Sequence, residues 1–239
     1  ALITGAASGF GLAVAQWLGA EGIIALGLGE MAAAGLEALG LACQTRNYVG
    51  SVADPALWDR IEADLPRLDH ALINAGVANG GPLTELDFAE WRRILSINLD
   101  GAFLSLRAAL RAMKRSDAGP KSAVLTSSAV GVKPFANTAA YGSSKAAVAH
   151  LARIAAAEHV KDRIRVNAVA PGRVETPIWT KTESFRRARQ AADEAGTEVP
   201  APDDFVTAEV LARQIGWLLS DEADNVTGTV LVSDGGFTL

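Results

Sequence analysis

Ala1-Leu2-Ile3-Thr4-Gly5-Ala6-Ala7-Ser8-Gly9-Phe10-Gly11 reads as the end of a buried strand running straight into a glycine-rich turn. An apolar helix is expected from that turn to about Ala20. Strand, glycine loop and helix in this order make an anion site, because unpaired backbone N–H groups at the helix start point outward and the helix dipole favours negative charge there. Gly5, Gly9 and Gly11 leave room for a phosphate to approach the backbone where a Cβ would block it. A tight turn that only packs helix on strand would use the same glycines, so the rest of the chain has to decide between the two.

Working outward, Ile23–Leu28, Ala42–Val49, Asp69–Ile73, Ala123–Ser127, Arg165–Ala170 and Thr229–Val232 are further buried apolar runs. Helix-forming segments alternate with them: 30–39, 55–65 with Pro55 in its first turn, 87–113, 139–160 and 208–219. In 87–113 the residues Trp91, Ile94, Leu95, Leu99, Phe103, Leu106 and Leu110 recur at helical spacing. No linker, low-complexity tract or second domain is read among these segments.

Composition narrows the function. The chain has 239 residues, 49% apolar and 21% charged, with a formal net charge of −5. That balance argues against a nucleic-acid or anionic-membrane surface as partner. A lone Cys43 excludes an internal disulfide framework and any multi-cysteine metal site, and His70, His150 and His159 have no ligand-like spacing, so no metal is expected. A reducing cytoplasm suits this composition. Residues 1–20 carry no charge, but Gly5, Gly9, Gly11 and Gly19 with Thr4, Ser8 and Gln16 make a poor membrane span. The chain opens at Ala1 in what reads as mid-strand, so a short upstream segment is expected.

A second constellation lies in the middle of the chain. Ser127-Ser128-Ala129-Val130-Gly131 follows a strand, and Tyr141-Gly142-Ser143-Ser144-Lys145 opens a helix. On that helix Tyr141 and Lys145 lie one turn apart on one face. A phenol titrates near 10 and releases its proton more readily beside a positive charge, which Lys145 supplies. Ser128, with Ser127 as the alternative, would then hydrogen-bond the oxygen whose proton Tyr141 exchanges. An isolated Tyr-x-x-x-Lys is more often an ordinary helix surface.

Taken together, Thr4-Gly5-x-x-x-Gly9-x-Gly11, Asn74-Ala75-Gly76, Ser96-Ile97-Asn98-Leu99, Ser128 thirteen residues before Tyr141, Lys145, Pro171-Gly172-Arg173-Val174-Glu175-Thr176-Pro177 and Ser233-Asp234-Gly235-Gly236 resemble the short-chain dehydrogenase/reductase family in its compact form. The resemblance spans essentially the whole chain. It implies one doubly wound (Rossmann) α/β domain over residues 1–239, with a mainly parallel sheet of about seven strands and a substrate lid at 178–205. It also implies reversible interconversion of a secondary alcohol and a ketone with a nicotinamide cofactor. Tyr141 would exchange the hydroxyl proton, Ser128 hold the oxygen, Lys145 lower the tyrosine pKa and bind the ribose, and Asn98 position a relay water.

The implied cofactor residues are Gly5, Ser8, Gly9, Phe10 and Gly11 at the pyrophosphate, Glu30 at the ribose, Ser51 and Val52 at the adenine, and Asn74, Ala75 and Gly76 beneath the cofactor. Tyr141, Lys145, Pro171, Gly172, Val174 and Thr176 would meet its nicotinamide half. Asn74 is expected to be more structural than catalytic. Two positions depart from the family pattern: Gly29 where an acid is usual and Ser51 where an aspartate is usual. Glu30 still offers a carboxylate to a ribose hydroxyl and repels a 2′-phosphate, and no Lys or Arg occurs before Arg46, so NAD is expected over NADP. The alanine-rich helix after Tyr141 leads to the expectation of a homo-oligomer, a dimer or tetramer. A small-molecule alcohol or ketone is the expected partner. A scaffold or nucleotide-binding protein of the same fold with lost turnover is the alternative, and an extended epimerase or dehydratase is disfavoured by chain length.

Overall fold

A computed structural model describes residues 1–18, 23–27, 45–117, 119–174, 190, 194 and 206–239. Glu30, Thr176 and the 178–205 lid, apart from positions 190 and 194, lie outside the described residues, as do the 30–39 helix and Cys43. Seven strands form one sheet: β1 Leu2–Thr4, β2 Ile23–Gly27, β3 Thr45–Val49, β4 His70–Ile73, β5 Lys121–Thr126, β6 Ile164–Pro171 and β7 Val230–Ser233. Their order is β3-β2-β1-β4-β5-β6-β7, and every neighbouring pair is parallel. This is the doubly wound arrangement, with about seven strands, that the family resemblance implies.

Residues along each strand alternate between two cores, as the period of two in a strand requires. Leu2, Ala71, Ile73, Ala123, Leu125, Val166 and Ala168 join one apolar cluster, and Ile3, Leu72, Val124 and Val169 join the other. The first cluster is closed by α2 Pro55–Asp64, α4 Gly101–Lys114 and α5 Ala139–His159, the second by α1 Gly9–Trp17 and α6 Ala208–Leu219. A parallel sheet hidden on both faces needs such continuous apolar strands. Trp58 of α2 is fully buried and donates its indole N–H to the Val52 carbonyl at 2.7 Å, so its one polar atom is satisfied.

Buried polar residues close the far side of the sheet. Arg165 of β6 donates to the carbonyls of Leu218 at 2.8 Å and Ser220 at 2.8 Å, capping α6 where its last carbonyls lack helical partners. Asn167 donates to the Val226 carbonyl at 2.8 Å and accepts from the Thr229 N–H at 3.1 Å. The Val226-Thr227-Gly228 segment thereby anchors β7.

The expected 87–113 helix is three pieces. Helix α3 Phe88–Leu95 passes into a π-helical turn Ser96–Asp100 before α4 begins. Apolar periodicity survives a single wide turn, so the sequence pattern does not reveal it. Such π-turns concentrate at functional positions, and this one holds Asn98. Among the described residues no helix is long and apolar enough to cross a membrane.

Strand order reverses beside β1: β2 lies on one side of it and β4 on the other. Loops leaving the carboxyl ends of β1 and β4 must diverge there, opening the crevice in which open α/β sheets bind ligands.

Candidate active site

The glycine turn is built as the sequence predicts. Gly5 and Gly9 have φ of +70° and +57°, a region other residues enter only with strain. A Cβ on Gly11 would lie 2.4 Å from the Gly5 carbonyl oxygen, so only glycine lets α1 start this close to β1. Ser8 is the N-cap of α1, with extended backbone, an exposed side chain and no capping bond from its hydroxyl. Its hydroxyl and the first N–H groups of α1 are therefore not used within the helix, which suits them to donate to an anion.

Next to the turn, Thr4 is fully buried and its hydroxyl oxygen accepts from the N–H groups of Asn74 at 2.7 Å and Ala75 at 2.9 Å. Asn74 donates to the Gly5 carbonyl at 3.4 Å and accepts from the Thr126 hydroxyl at 3.2 Å. Its side chain thus links the ends of β1, β4 and β5, a positioning role. Ser51 accepts from the Ala53 N–H at 3.2 Å, which leaves its hydroxyl proton available. Val52 packs its side chain under α4, where a Cβ on Gly101 would meet it at 2.5 Å.

Deeper in the crevice four polar side chains converge. The Ser128 hydroxyl stands near enough to the Tyr141 phenol to pull its pKa downward. Both residues are buried, Tyr141 at 9% exposure and Ser128 at 6%. Lys145 is 3% exposed. Its Nζ lies 5.8 Å from the centre of the Tyr141 ring and donates to the Thr126 carbonyl at 2.9 Å. A Cβ on Gly76 would come within 3.2 Å of Asn98 Oδ1 and 3.3 Å of Lys145 Nζ, so the missing side chain leaves room for both groups at this turn.

Asn98 is 1% exposed. Its Oδ1 accepts from the Val77 N–H at 2.8 Å, and its Nδ2 donates to the Val77 carbonyl at 2.9 Å and to Ser144 Oγ at 3.0 Å. Its side chain is thus committed to holding the loop after β4 against α5. Any contact with a relay water falls to the backbone of the π-turn, where the wide hydrogen-bond spacing loosens carbonyls from helical partners.

Ser127 and Ser128, adjacent in sequence, are separated by geometry. Ser127 donates to the Lys145 carbonyl at 2.8 Å, a buried bond that fastens β5 to α5. Ser128 is the N-cap of the short turn Ala129–Gly131, and its hydroxyl is the one turned to Tyr141. Gly131 explains the close docking of this turn, since a Cβ there would lie 2.8 Å from both the Ala146 nitrogen and the Lys145 carbonyl carbon.

The charges require one correction. Lys145 was expected to bring the tyrosine pKa down. In the chain alone, burial raises the Tyr141 phenol above 10.0, against an opposing pull from Ser128. Burial also lowers Lys145 from 10.5 to about 8, so the ammonium still carries its proton at pH 7. Desolvation disfavours the charged form of each group, and with both groups enclosed it decides the direction.

At the crevice's other wall, Gly172 donates its N–H to the Ser233 carbonyl at 3.0 Å, and a Cβ on it would clash with Asp234 at 2.8 Å. Val174 is buried and bridges to Val206. Pro171, Gly172 and Val174 therefore stand at the end of β6, beside the Ser128 and Tyr141 wall. Thr126 and Ser144 are site residues that the sequence reading passed over. The available signal was a polar residue next to each recognised motif in an otherwise buried run.

A fit for a dinucleotide can be judged from these features. Two positive-φ glycines, an uncapped serine and a helix start supply a pyrophosphate cradle, and Gly76 opens the floor above Lys145 and Asn98. The residues present fit such a group.

The profile of a family described as enoyl-(acyl carrier protein) reductase matches residues 5–238. The chain is 40% identical, over 100% of its length and 96% of the relative's, to cis-4-hydroxycyclohexanecarboxylate dehydrogenase of Sinomonas cyclohexanicum. It is 34% identical, over 100% of its length and 93% of the relative's, to 3beta-hydroxysteroid dehydrogenase 1 of Eggerthella lenta. Among solved structures, a short chain dehydrogenase from Mycobacterium paratuberculosis bound to NAD superposes with a TM-score of 0.83 at 30% identity, covering 99% of this chain and 96% of that one.

Proposed function

The chain belongs to the short-chain dehydrogenase/reductase family, and from that premise we propose that it interconverts a secondary alcohol on a saturated six-membered ring and the corresponding ketone, using NAD. The observation that carries this reading is the buried Ser128–Tyr141 hydroxyl pair with the Lys145 ammonium beneath it. Two neighbouring hydroxyls would grip one oxygen, which suits a carbonyl or alcohol. The ring preference rests on the two relatives above, whose named substrates carry the hydroxyl on such a ring.

The nicotinamide supplies the hydride acceptor in oxidation and the donor in reduction. Gly5, Ser8, Gly9, Phe10 and Gly11 would hold the pyrophosphate, Ser51 and Val52 the adenine, Asn74, Ala75 and Gly76 the floor, and Pro171, Gly172, Val174 and Thr176 the nicotinamide side. Ser128 donates to the substrate oxygen and fixes its position. Tyr141 takes the alcohol proton in oxidation and returns it in reduction. Lys145, charged at neutral pH, would offer its remaining N–H bonds to a ribose hydroxyl. Asn98 keeps the loop after β4 in register with α5, so that the proton path around Lys145 stays open.

NAD is preferred because, by its place in the sequence, Glu30 would repel a 2′-phosphate where a cation would be needed. The first basic residue, Arg46, donates to the Asp64 carbonyl at 2.8 Å instead. Titration with NADH and with NADPH, read by quenching of the tryptophans, tests this, and equal affinities would refute it. A homo-oligomer in a reducing cytoplasm belongs to the same proposal, supported by Phe103 and Ile154, exposed on α4 and α5 at 48% and 44%. Light scattering that finds only a monomer would remove the oligomer.

Turnover is tested with NAD and a panel of cyclohexanols, 4-hydroxycyclohexanecarboxylate, a 3β-hydroxysteroid and acyclic secondary alcohols. Ring alcohols should be oxidised fastest. No rate above background with any of them would leave the nucleotide-binding scaffold as the better reading.

A further inference from the structure

The loop between the two reacting hydroxyls has few buried contacts of its own. At its tip Val132 is 48% exposed and Lys133, Pro134, Ala136 and Asn137 are exposed, with Phe135 half-buried among them. Polar ties fix parts of the loop, from the Gly81 N–H to the Asn137 carbonyl at 3.0 Å and from the Thr138 hydroxyl to the Phe135 carbonyl at 2.8 Å, while its large apolar side chain takes its position from what packs on it. Phe135 is held by the chain's last residues. Its ring stacks on Phe237 with centroids 4.7 Å apart and planes 9° from parallel. Phe237 also lies under the Arg173 guanidinium, 5.1 Å from the ring centre. Arg173 is the neighbour of Val174 at the end of β6, on the other wall of the crevice.

The segment carrying Phe237 is itself fixed. Asp234, buried, accepts from the N–H groups of Gly236 and Thr238, both at 2.9 Å, and from the Thr238 hydroxyl at 2.6 Å. Gly235 and Gly236, with φ of +62° and +90°, allow the tight turn these bonds require. The Lys133 ammonium adds a second tie at 2.9 Å to the Leu239 carbonyl.

We propose that Phe237 is a positioning residue of the alcohol–ketone reaction: through Phe135 and Arg173 it sets the distance between the Ser128–Tyr141 loop and the β6 end that carries Val174. This rests on the functional reading above. The effect of Phe237 is to hold the substrate wall at a fixed spacing from the cofactor wall, and such spacing counts steeply, since misplacing a reacting group by about 1 Å can cost roughly 100-fold in rate.

The test compares wild type, Phe237→Ala and Phe237→Tyr in steady-state kinetics with NAD and the best ring alcohol, in NADH binding, and in hydrogen exchange of residues 132–138. Phe237→Ala should lower kcat/KM at least tenfold, mainly through KM for the alcohol. NADH affinity should stay within threefold, and amide exchange in 132–138 should quicken at least tenfold while β4 and β5 stay protected. Phe237→Tyr, which keeps the ring, should restore kcat/KM to within threefold of wild type. Phe237→Ala with unchanged kcat/KM, or unchanged exchange in 132–138, overturns the inference. So does a parallel loss of NADH binding and of protection throughout the sheet, which marks a merely structural ring. A wild type without turnover overturns the parent reading and with it any role in the reaction, a result distinct from an active wild type matched by its Phe237→Ala variant.

Discussion

Replacing Lys145 by Met should abolish turnover and yet stabilise the cofactor-free protein at neutral pH. A lysine in the unfolded chain titrates near 10.5, whereas Lys145 in the fold titrates at about 8 because it is buried. Below pH 8 the ammonium is charged in both states, and its burial cost is fully present, about 3 kcal/mol from that difference. Between the two values the unfolded chain holds a proton the folded chain has released, so the cost disappears as pH rises through this window. Methionine matches the stem in volume and has no charge, but it abandons the 2.9 Å bond to the Thr126 carbonyl, which offsets about 1–2 kcal/mol of the gain. The net expectation at pH 7 is a variant more stable by about 1–2 kcal/mol. By pH 10.5 the wild type should have gained about 3 kcal/mol relative to the variant, reversing the order. Urea unfolding of both proteins at the two pH values reads this directly, because a change of this size moves the midpoint by about 0.5–1 M. A stability difference that does not vary with pH would refute the reasoning, since it would mean that Lys145 carries no desolvation cost.

The adjacent serines should separate by phenotype. Ser128→Ala should cost about 100-fold or more in kcat with little change in unfolding midpoint, whereas Ser127→Ala, losing a buried bond to the Lys145 carbonyl, should lower stability by about 1 kcal/mol; kinetics and denaturation on the same preparations check both. Gly11→Ala should weaken NADH binding at least tenfold and destabilise the fold by about 1–3 kcal/mol, because its Cβ would sit 2.4 Å from the Gly5 carbonyl oxygen and no flexible side chain can yield; fluorescence titration and thermal unfolding report the two effects.

Much of this was legible in the sequence because it depends on local pattern. The strand-to-glycine-to-helix stretch at Ala1–Gly11 announces itself through residue types that only one backbone path tolerates. The apolar strands read as continuous runs because a parallel sheet buries both faces. Pro55 in the first turn of α2, and Ser128 rather than Ser127 at the site, follow from short-range spacing, and the Ser128-x-x-Gly131 spacing has its reason in the contact of Gly131 with the Lys145 backbone. What the sequence hid depends on wide geometry or on distant partners. The π-turn at Ser96–Asp100 leaves helical periodicity intact on either side. The raised Tyr141 pKa arises from enclosure, which a one-turn spacing to Lys145 does not disclose. The stacking of Phe237 on Phe135 joins residues about a hundred positions apart, so neither ring marks itself in its own neighbourhood.

The most direct test of the central claim, that Tyr141 exchanges the proton of a secondary alcohol in a nicotinamide site, is a paired measurement on wild type and Tyr141→Phe: NADH binding by tryptophan quenching, and NADH formation from NAD and a ring alcohol. The account predicts that the variant binds NADH within about threefold of wild type and loses at least 1000-fold in kcat, the phenol's proton transfer being worth about 10²–10⁴-fold in general acid–base catalysis. A Tyr141→Phe protein that turns over at the wild-type rate would contradict it.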